Sequence, residues 1–287
     1  MGHMLSGYFK SHGWDAAVLS REKRNEKNFF YWNPVREEMD EAAFENISCI
    51  ISLAGVSIAG KRWTRKRKQE IINSRIQSTD FLYEKLRTVK NNVKTFISAS
   101  GTGYYGNRKD EWLTEVSAPG NDFLSTCCRY WEGSALKVST LGIRTVIFRI
   151  GIVLSREEGA LPKLALPVKL FVGSPLGSGR QFISWIHYAD LSALFFKAAD
   201  DSSLQGIYNA VAPEPVTNKE FIKILAKTLH RPMFLPPVPS FILKIILGEL
   251  ATAITGGQRV SGQKITDAGF RFQFSRLDEA LRNIYSE

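Results

Sequence analysis

Four short apolar runs with little alternation punctuate the first half of the chain: Asp15–Leu19, Ile47–Leu53, Val93–Ser98 and Ile143–Phe148. Runs of this kind, rich in Val, Ile and Phe, suit strands buried on both faces. Between them lie longer stretches with helical spacing, His3–His12, Thr64–Thr88 and Phe123–Thr140. Alternating strands and helices predict an α/β domain, a parallel sheet wrapped on both sides. After about residue 155 the texture changes. Gly173, Gly177 and Gly179 with Pro175 form a glycine-rich loop, and the apolar Phe182–Ile186 follows. A helix is predicted from Asp190, a strand over Gly206–Ala210, and a helix from Thr217 to about His230. Thr217 and Glu220 have the spacing of a capping box. Pro232, Pro236, Pro237 and Pro239 then break the chain. Phe241–Thr255, the most apolar segment, predicts a buried amphipathic helix, too short and too interrupted by Lys244 and Glu249 to cross a bilayer. The pattern divides the chain into a sheet domain over residues 1–155, to which some later segments return, and a smaller lobe over 156–287 with a cap at about 232–287.

Composition narrows the class. An apolar share of 44% in 287 residues is enough for a sizeable core, which excludes disorder and low-complexity architectures. Cys127 and Cys128 are adjacent and Cys49 lies in an apolar run. That spacing builds neither a disulfide framework nor a metal site, so no metal and a cytoplasmic location are expected. Met1–Ser11 has no apolar core of signal-peptide length, and no membrane partner is expected. The net charge is +10, with a dense cluster from Lys61 through Arg62, Arg65, Lys66 and Arg67 to Lys68. No zinc-finger or RNA-binding motif accompanies it. The charge therefore predicts a surface for anionic small molecules rather than nucleic acid.

Several positions carry candidate chemistry. Gly2, Leu5, Phe9 and Gly13, followed by Leu19-Ser20-Arg21, have the layout that follows the third glycine of a dinucleotide-binding turn, whose helix N-terminus faces a pyrophosphate. The alternative is a helix that happens to begin near Gly2. Ser20-Arg21 ends the second strand of that layout, where an acid would favour NAD; an arginine, with Lys23 and Arg24 beyond, offers donors to a 2′-phosphate. A solvated charge run is the competing reading. Leu53-Ala54-Gly55 lets a backbone approach a nucleotide, or simply ends a strand. Ser100 and Thr102 lie in the hydroxyl-rich turn from Phe96 to Gly106, where substrates bind at the carboxyl end of parallel strands, although such hydroxyls also cap turns.

These features, with Arg62-Trp63-Thr64, Ser74-Arg75, Tyr104-Tyr-Gly106, Trp131-Glu132, Arg149-Ile-Gly-Ile-Val-Leu154, Gly177-Ser-Gly-Arg-Gln-Phe182, Trp185-Ile-His187, Asn209-Ala-Val-Ala-Pro213, Gly257-Gln-Arg-Val260 and Ala268-Gly-Phe270, run nearly the length of the chain. Together they resemble the extended short-chain dehydrogenase/reductase superfamily, in its atypical branch of epimerase-family proteins. The resemblance implies a Rossmann-type doubly wound sheet that binds NADP, NAD being the weaker candidate, with a C-terminal lobe forming a cleft for a small polar substrate. By position it maps cofactor contacts to Gly2, Ser20, Arg21, Leu53, Ala54, Glu70, Arg75 and Val153, to which Gly55 adds a close approach. Arg75 is the candidate phosphate partner and Glu70 a ribose or base acceptor, although five residues on a helix leave the two on different sides. Arg180, in the glycine-rich loop, is the candidate for an anionic group on the substrate.

The catalytic segment departs from that superfamily. Its enzymes pair a tyrosine with a lysine four residues on, which lowers the phenol pKa. Here Tyr130 is followed at that distance by Ser134, and Lys137 lies about two turns away. Ser100, Thr102 and Tyr130 remain the catalytic candidates, with Tyr130 expected not to be an activated base. His187 and Asp190 are expected to be architectural. The functional expectation is an NADP-binding epimerase- or oxidoreductase-like protein, or alternatively a non-catalytic NADP-binding sensor. The sequence opens on the first helix of the pattern, so we expect the functional protein to carry an additional strand and glycine-rich turn ahead of it, and this chain to leave a gap where that strand would lie.

Overall fold

A computed structural model describes residues 1–286. The chain opens on helix α1 (Gly2–Ser11), which buries Leu5 and Phe9, and passes to β1 (Val18–Ser20), β2 (Phe29–Asn33) and β3 (Glu38–Met39). Next come β4 (Cys49–Ser52), α2 (Arg65–Thr88) and β5 (Thr95–Gly101), which runs into a 3-10 turn at Thr102–Tyr105. A short β6 (Trp112–Leu113) precedes α3 (Phe123–Lys137), β7 (Arg144–Ile150) and β8 (Ile152–Leu154). The second half contains α4 (Leu161–Lys169), β9 (Phe182–Ile183), β10 (Trp185–His187), α5 (Tyr188–Asp200), β11 (Gly206–Ala210) and β12 (Val216–Thr217). It closes with α6 (Asn218–Thr228), α7 (Ser240–Leu247), α8 (Leu250–Thr255), β13 (Arg259–Val260), α9 (Gln263–Asp267) and α10 (Leu277–Ser286).

The predicted α/β architecture is present. β4, β5, β7 and β11 form one parallel sheet in the order β11-β7-β5-β4, so β11 returns from the second half of the chain to the first. β5 and β7 are the central strands, and Phe96, Ile97, Val146, Ile147 and Phe148 have no exposed surface. One face of the sheet is covered by α1 and α5, the other by α2 and α3. β1 pairs in parallel with β2, and β2 antiparallel with β3, in a separate three-stranded sheet. β1 and β4 are not hydrogen-bonded to each other, so an interruption lies between the two sheets.

The smaller lobe packs α4, α6 and α10 around Trp185, Phe221 and Leu281. Thr217 caps α6 as its sequence suggested: its hydroxyl accepts from Glu220 N–H, and the Glu220 carboxylate accepts from Thr217 N–H at 2.8 Å. The structure adds one strand to the expected elements and breaks one expected helix. The strand Phe29–Asn33 was not anticipated; only Trp32 of its four aromatics is buried, so neither run length nor alternation marks it. The segment expected to form one buried helix, Phe241–Thr255, is broken at Gly248, whose φ of 62° ends α7. Only Leu243 of α7 is buried, and Phe241, Ile245 and Ile246 face outward.

Candidate functional site

The carboxyl ends of β4, β5 and β7 converge on the side of the sheet where parallel α/β folds bind ligands. β4 leads into Leu53-Ala54-Gly55, all half-buried or more exposed, with Leu53 and Ala54 packed at the margins of the two cores flanking the sheet. At Gly55 the absence of a side chain leaves room for the Arg75 guanidinium: a Cβ there would lie 2.8 Å from Arg75 Cζ. The Arg75 guanidinium donates from Nη1 to Ile71 O at 2.9 Å and from both Nη atoms to Val56 O at 3.3 Å, and it lies 5.0 Å from the Trp131 ring centroid. It is buried and has no carboxylate partner among the described residues. Burial pushes its pKa down and the Cys127 and Cys128 thiols oppose this, yet a guanidinium stays charged in proteins.

Arg21 follows β1 and is exposed, with no ion-pair partner among the described residues. Its neighbours are engaged: Lys23 lies 5.1 Å from the Tyr31 ring, and Arg24 stacks on Phe29 and pairs with Glu22. Ser20 Oγ accepts from Glu22 N–H at 3.2 Å. The remaining cofactor candidates divide. Val153, in β8, packs half-buried on the main core. Glu70 turns from Arg75 and pairs with Arg67 at 3.0 Å, as the five-residue spacing implied. Gly2 starts α1, but a Cβ there would meet no atom within 4 Å. The close helix-to-strand packing that the third glycine of such a turn permits is therefore not at work at Gly2 in this structure. Arg180 is exposed in the glycine-rich loop, and its backbone N–H donates to Ser178 Oγ.

The three catalytic candidates are not brought together. Tyr130 is 53% exposed, on the outer side of α3. The inner side of that helix presents Leu124, Ser125, Cys128 and Glu132 to the β5 turn. A Cβ at Gly103 would sit 3.1 Å from Leu124 Cβ, Ser125 Oγ donates to Gly103 O, and Cys128 Sγ lies 3.9 Å from a Cβ at Gly101. Tyr130 is two residues from both Cys128 and Glu132, about 200° round the helix. Ser100 is buried and donates to Glu132 Oε1 at 2.7 Å, so its hydroxyl serves that carboxylate. Thr102 sits in the turn after β5, and its hydroxyl has no hydrogen-bond partner among the described residues.

Behind the turn lies a buried network whose roles the sequence did not reveal. Arg149 and Glu132, 2% and 5% exposed at their side chains, form a two-pronged pair at 2.9 and 2.8 Å. Arg149 Nη1 also donates to Tyr105 OH at 3.0 Å, and that hydroxyl donates to Asn209 Oδ1 at 2.7 Å. The guanidinium lies 3.3 Å from the Tyr104 ring centroid. Burial disfavours the Arg149 charge, but the bonds and charge of Glu132 outweigh it and hold the pKa above its ordinary value. Burial pushes Tyr105 up to about 12 and Cys128 up to about 12, so neither ionises near neutral pH. An arginine inside an otherwise apolar strand was the available signal, since such a residue is almost never buried unpaired.

His187 and Asp190 are architectural, as expected. His187 has no exposed surface, and its Nδ1 accepts from Ala189 N–H at 3.2 Å, capping α5. The Asp190 carboxylate accepts from Gln273 and Phe274 N–H at 2.7 and 3.0 Å, tying the C-terminal segment to α5. Burial pushes the His187 pKa down to about 4. The unfolded chain, with histidine near ~6.5, then binds the proton first, so the His187 contribution is complete above ~6.5 and is lost as pH falls towards 4. Burial pushes the Asp190 carboxyl up, which opposes this trend. His187→Asn keeps a cap acceptor, so urea midpoints of the variant should fall less steeply than wild type between those pH values. Equal slopes would refute the assignment. For Tyr130→Phe, an exposed site with no partner, the expected stability change is within about 0.5 kcal/mol and any turnover stays within a few-fold. A loss on the order of a hundred-fold would contradict the outward placement.

Comparison with known proteins agrees with this fold. Residues 1–210 match the NAD dependent epimerase/dehydratase family, and residues 238–284 match a domain of unknown function, DUF1731. The chain is 39% identical over 291 residues to epimerase family protein YfhF of Bacillus subtilis, covering 100% of this chain and 95% of that one. It is 36% identical over 290 residues to epimerase family protein SAR0825 of Staphylococcus aureus, covering 100% of this chain and 96% of its relative. Among solved structures, human epimerase family protein SDR39U1 with NADPH superposes with a TM-score of 0.90 at 28% identity, over 99% of this chain and 95% of the human one. A parallel sheet with helices on both faces and a family match over more than two-thirds of the sequence place the chain in the NAD-dependent epimerase/dehydratase family.

Proposed function

We propose that the chain binds NADP(H) at the carboxyl end of the sheet and acts as an epimerase- or oxidoreductase-like protein on a small polar substrate. The observation that carries this reading is Arg75, a buried cation without a carboxylate among the described residues, whose guanidinium fits against Gly55 at the carboxyl end of the sheet. Arg75 would face an anionic part of the dinucleotide. Ser20 and Arg21 would meet the 2′-phosphate, and Leu53, Ala54 and Val153 would supply apolar walls. NADPH in the human relative supports the choice of cofactor. The bound nicotinamide supplies hydride exchange with a substrate carbon. Tyr130 turns away from the turn after β5, the Thr102 hydroxyl is available to hydrogen-bond a substrate oxygen, and Arg180 is available to an anionic group on the substrate.

A second reading, an NADP(H) sensor without turnover, is favoured by the inner face of α3. It presents an apolar residue, a hydroxyl, a thiol shifted to about 12 and a carboxylate committed to Arg149. Calorimetric titration with NADPH and NADH tests the shared part. Charge-assisted phosphate contacts are worth about 1.5–3 kcal/mol, so a preference for NADPH of roughly ten- to a hundred-fold is expected, and Arg21→Ala should remove most of it. Equal affinities in the wild-type chain would refute the assignment. Cofactor oxidation or reduction during a metabolite screen separates the enzyme from the sensor.

A further inference from the structure

Exposed apolar surface is concentrated in two adjoining segments of the smaller lobe, residues 161–180 and 231–247. These two segments contain five Lys or Arg and no Asp or Glu. They are tied side by side: Ser174 Oγ donates to Pro236 O, Val238 N–H to Pro175 O at 2.8 Å, and Gly177 N–H to Val238 O at 2.9 Å. The Arg231 guanidinium lies 4.7 Å from the Phe171 ring centroid, joining the end of α4 to the proline-rich lead into α7. Leu170, Phe171, Phe234, Phe241, Ile245 and Ile246 are each between 51% and 71% exposed. Lys169, Arg231 and Lys244 are exposed among them. The carboxylate that follows α7, on Glu249, is engaged by Lys68 at 2.7 Å. Soluble surfaces normally scatter large apolar side chains singly, so a cluster of this kind marks an interaction face.

We propose that this face docks on the surface of an anionic lipid bilayer. Aromatic and aliphatic side chains that protrude with lysines and arginines between them match the boundary of a membrane, where apolar groups enter the acyl region and cations meet lipid phosphates. Charge complementarity selects this occupant over a second copy of the chain. Self-association through the same face would set its cations against an identical set with no carboxylate on either side to pair them. No helix among the described residues is long and apolar enough to cross a bilayer, so the contact is interfacial. The inference does not depend on cofactor binding or turnover.

Co-sedimentation of the full chain with vesicles tests it, using phosphatidylcholine mixed with phosphatidylglycerol and phosphatidylcholine alone. Binding to the anionic vesicles is expected, at least about ten-fold weaker to the neutral ones and weaker again in high salt. Lys244→Gln should lower affinity about five-fold and Phe241→Ser with Ile245→Ser at least about ten-fold. Val116→Ser, at a 94% exposed position outside both segments, should change nothing. All of these sites are solvent-facing, and unchanged melting temperatures verify folding; Lys244→Gln alone decides the matter if the double variant unfolds. Absence of binding to anionic vesicles, equal binding to both lipid mixtures, or indifference to the α7 substitutions would overturn the proposal. So would a monomer–dimer equilibrium abolished by those substitutions, which would assign the face to a second copy.

Discussion

Glu132→Ala is expected to destabilise the protein by about 3–5 kcal/mol, a large share of a typical domain's stability. The substitution removes the acceptor for Arg149 Nε, Arg149 Nη2 and Ser100 Oγ at one stroke and leaves an uncompensated guanidinium between β7 and α3. The bonds from Arg149 to Tyr105 and Glu115 O do not neutralise it. Replacing both partners, Glu132→Leu with Arg149→Met, should cost less than either single change, because the desolvation of both charges is also relieved. Urea midpoints at unchanged slope measure the effect. A loss below about 1 kcal/mol for Glu132→Ala would mean that the pair is open to solvent and that the floor beneath the turn is not rigid.

The second large effect concerns the anion contact proposed for Arg75. Arg75→Met is expected to weaken NADPH binding by roughly ten- to a hundred-fold, the worth of a charge-assisted contact to phosphate. Gly55→Ala should act in the same direction without removing the cation, since its Cβ would come within 2.8 Å of Arg75 Cζ and displace the guanidinium. NADPH titrations of the two variants against wild type check this. If both bind within about three-fold of wild type, Arg75 is a structural cation held by carbonyls alone.

How much of this was legible in the sequence depended on whether a signal was local. Continuous apolar runs marked β4, β5 and β7, because a strand buried on both faces needs no alternation. The Thr217 and Glu220 spacing marked the start of α6, because a capping box is complete within four residues. The side of α3 that faces the site was not legible. Trp131-Glu132 fixed the helix in the chain, but only packing showed that Trp131 and Glu132 turn inward while Tyr130 turns out. The Arg149–Glu132 pair joins residues 17 apart, and its partners Tyr105 and Asn209 are 104 apart, so no spacing rule applies. α7 misled for the opposite reason. Its composition is that of a core helix, yet the fold gives it a neighbour on one narrow side and leaves the rest uncovered.

The most direct test of the central claim is a crystal structure of this chain grown with NADP⁺. The account predicts the dinucleotide along the carboxyl ends of β4, β5 and β7, with an anionic group of the cofactor over Gly55 beside Arg75. The 2′-phosphate should lie within hydrogen-bond distance of Arg21, and Tyr130 should be out of reach of the nicotinamide. A nucleotide bound elsewhere, or one whose phosphates avoid both Arg75 and Arg21, would contradict it.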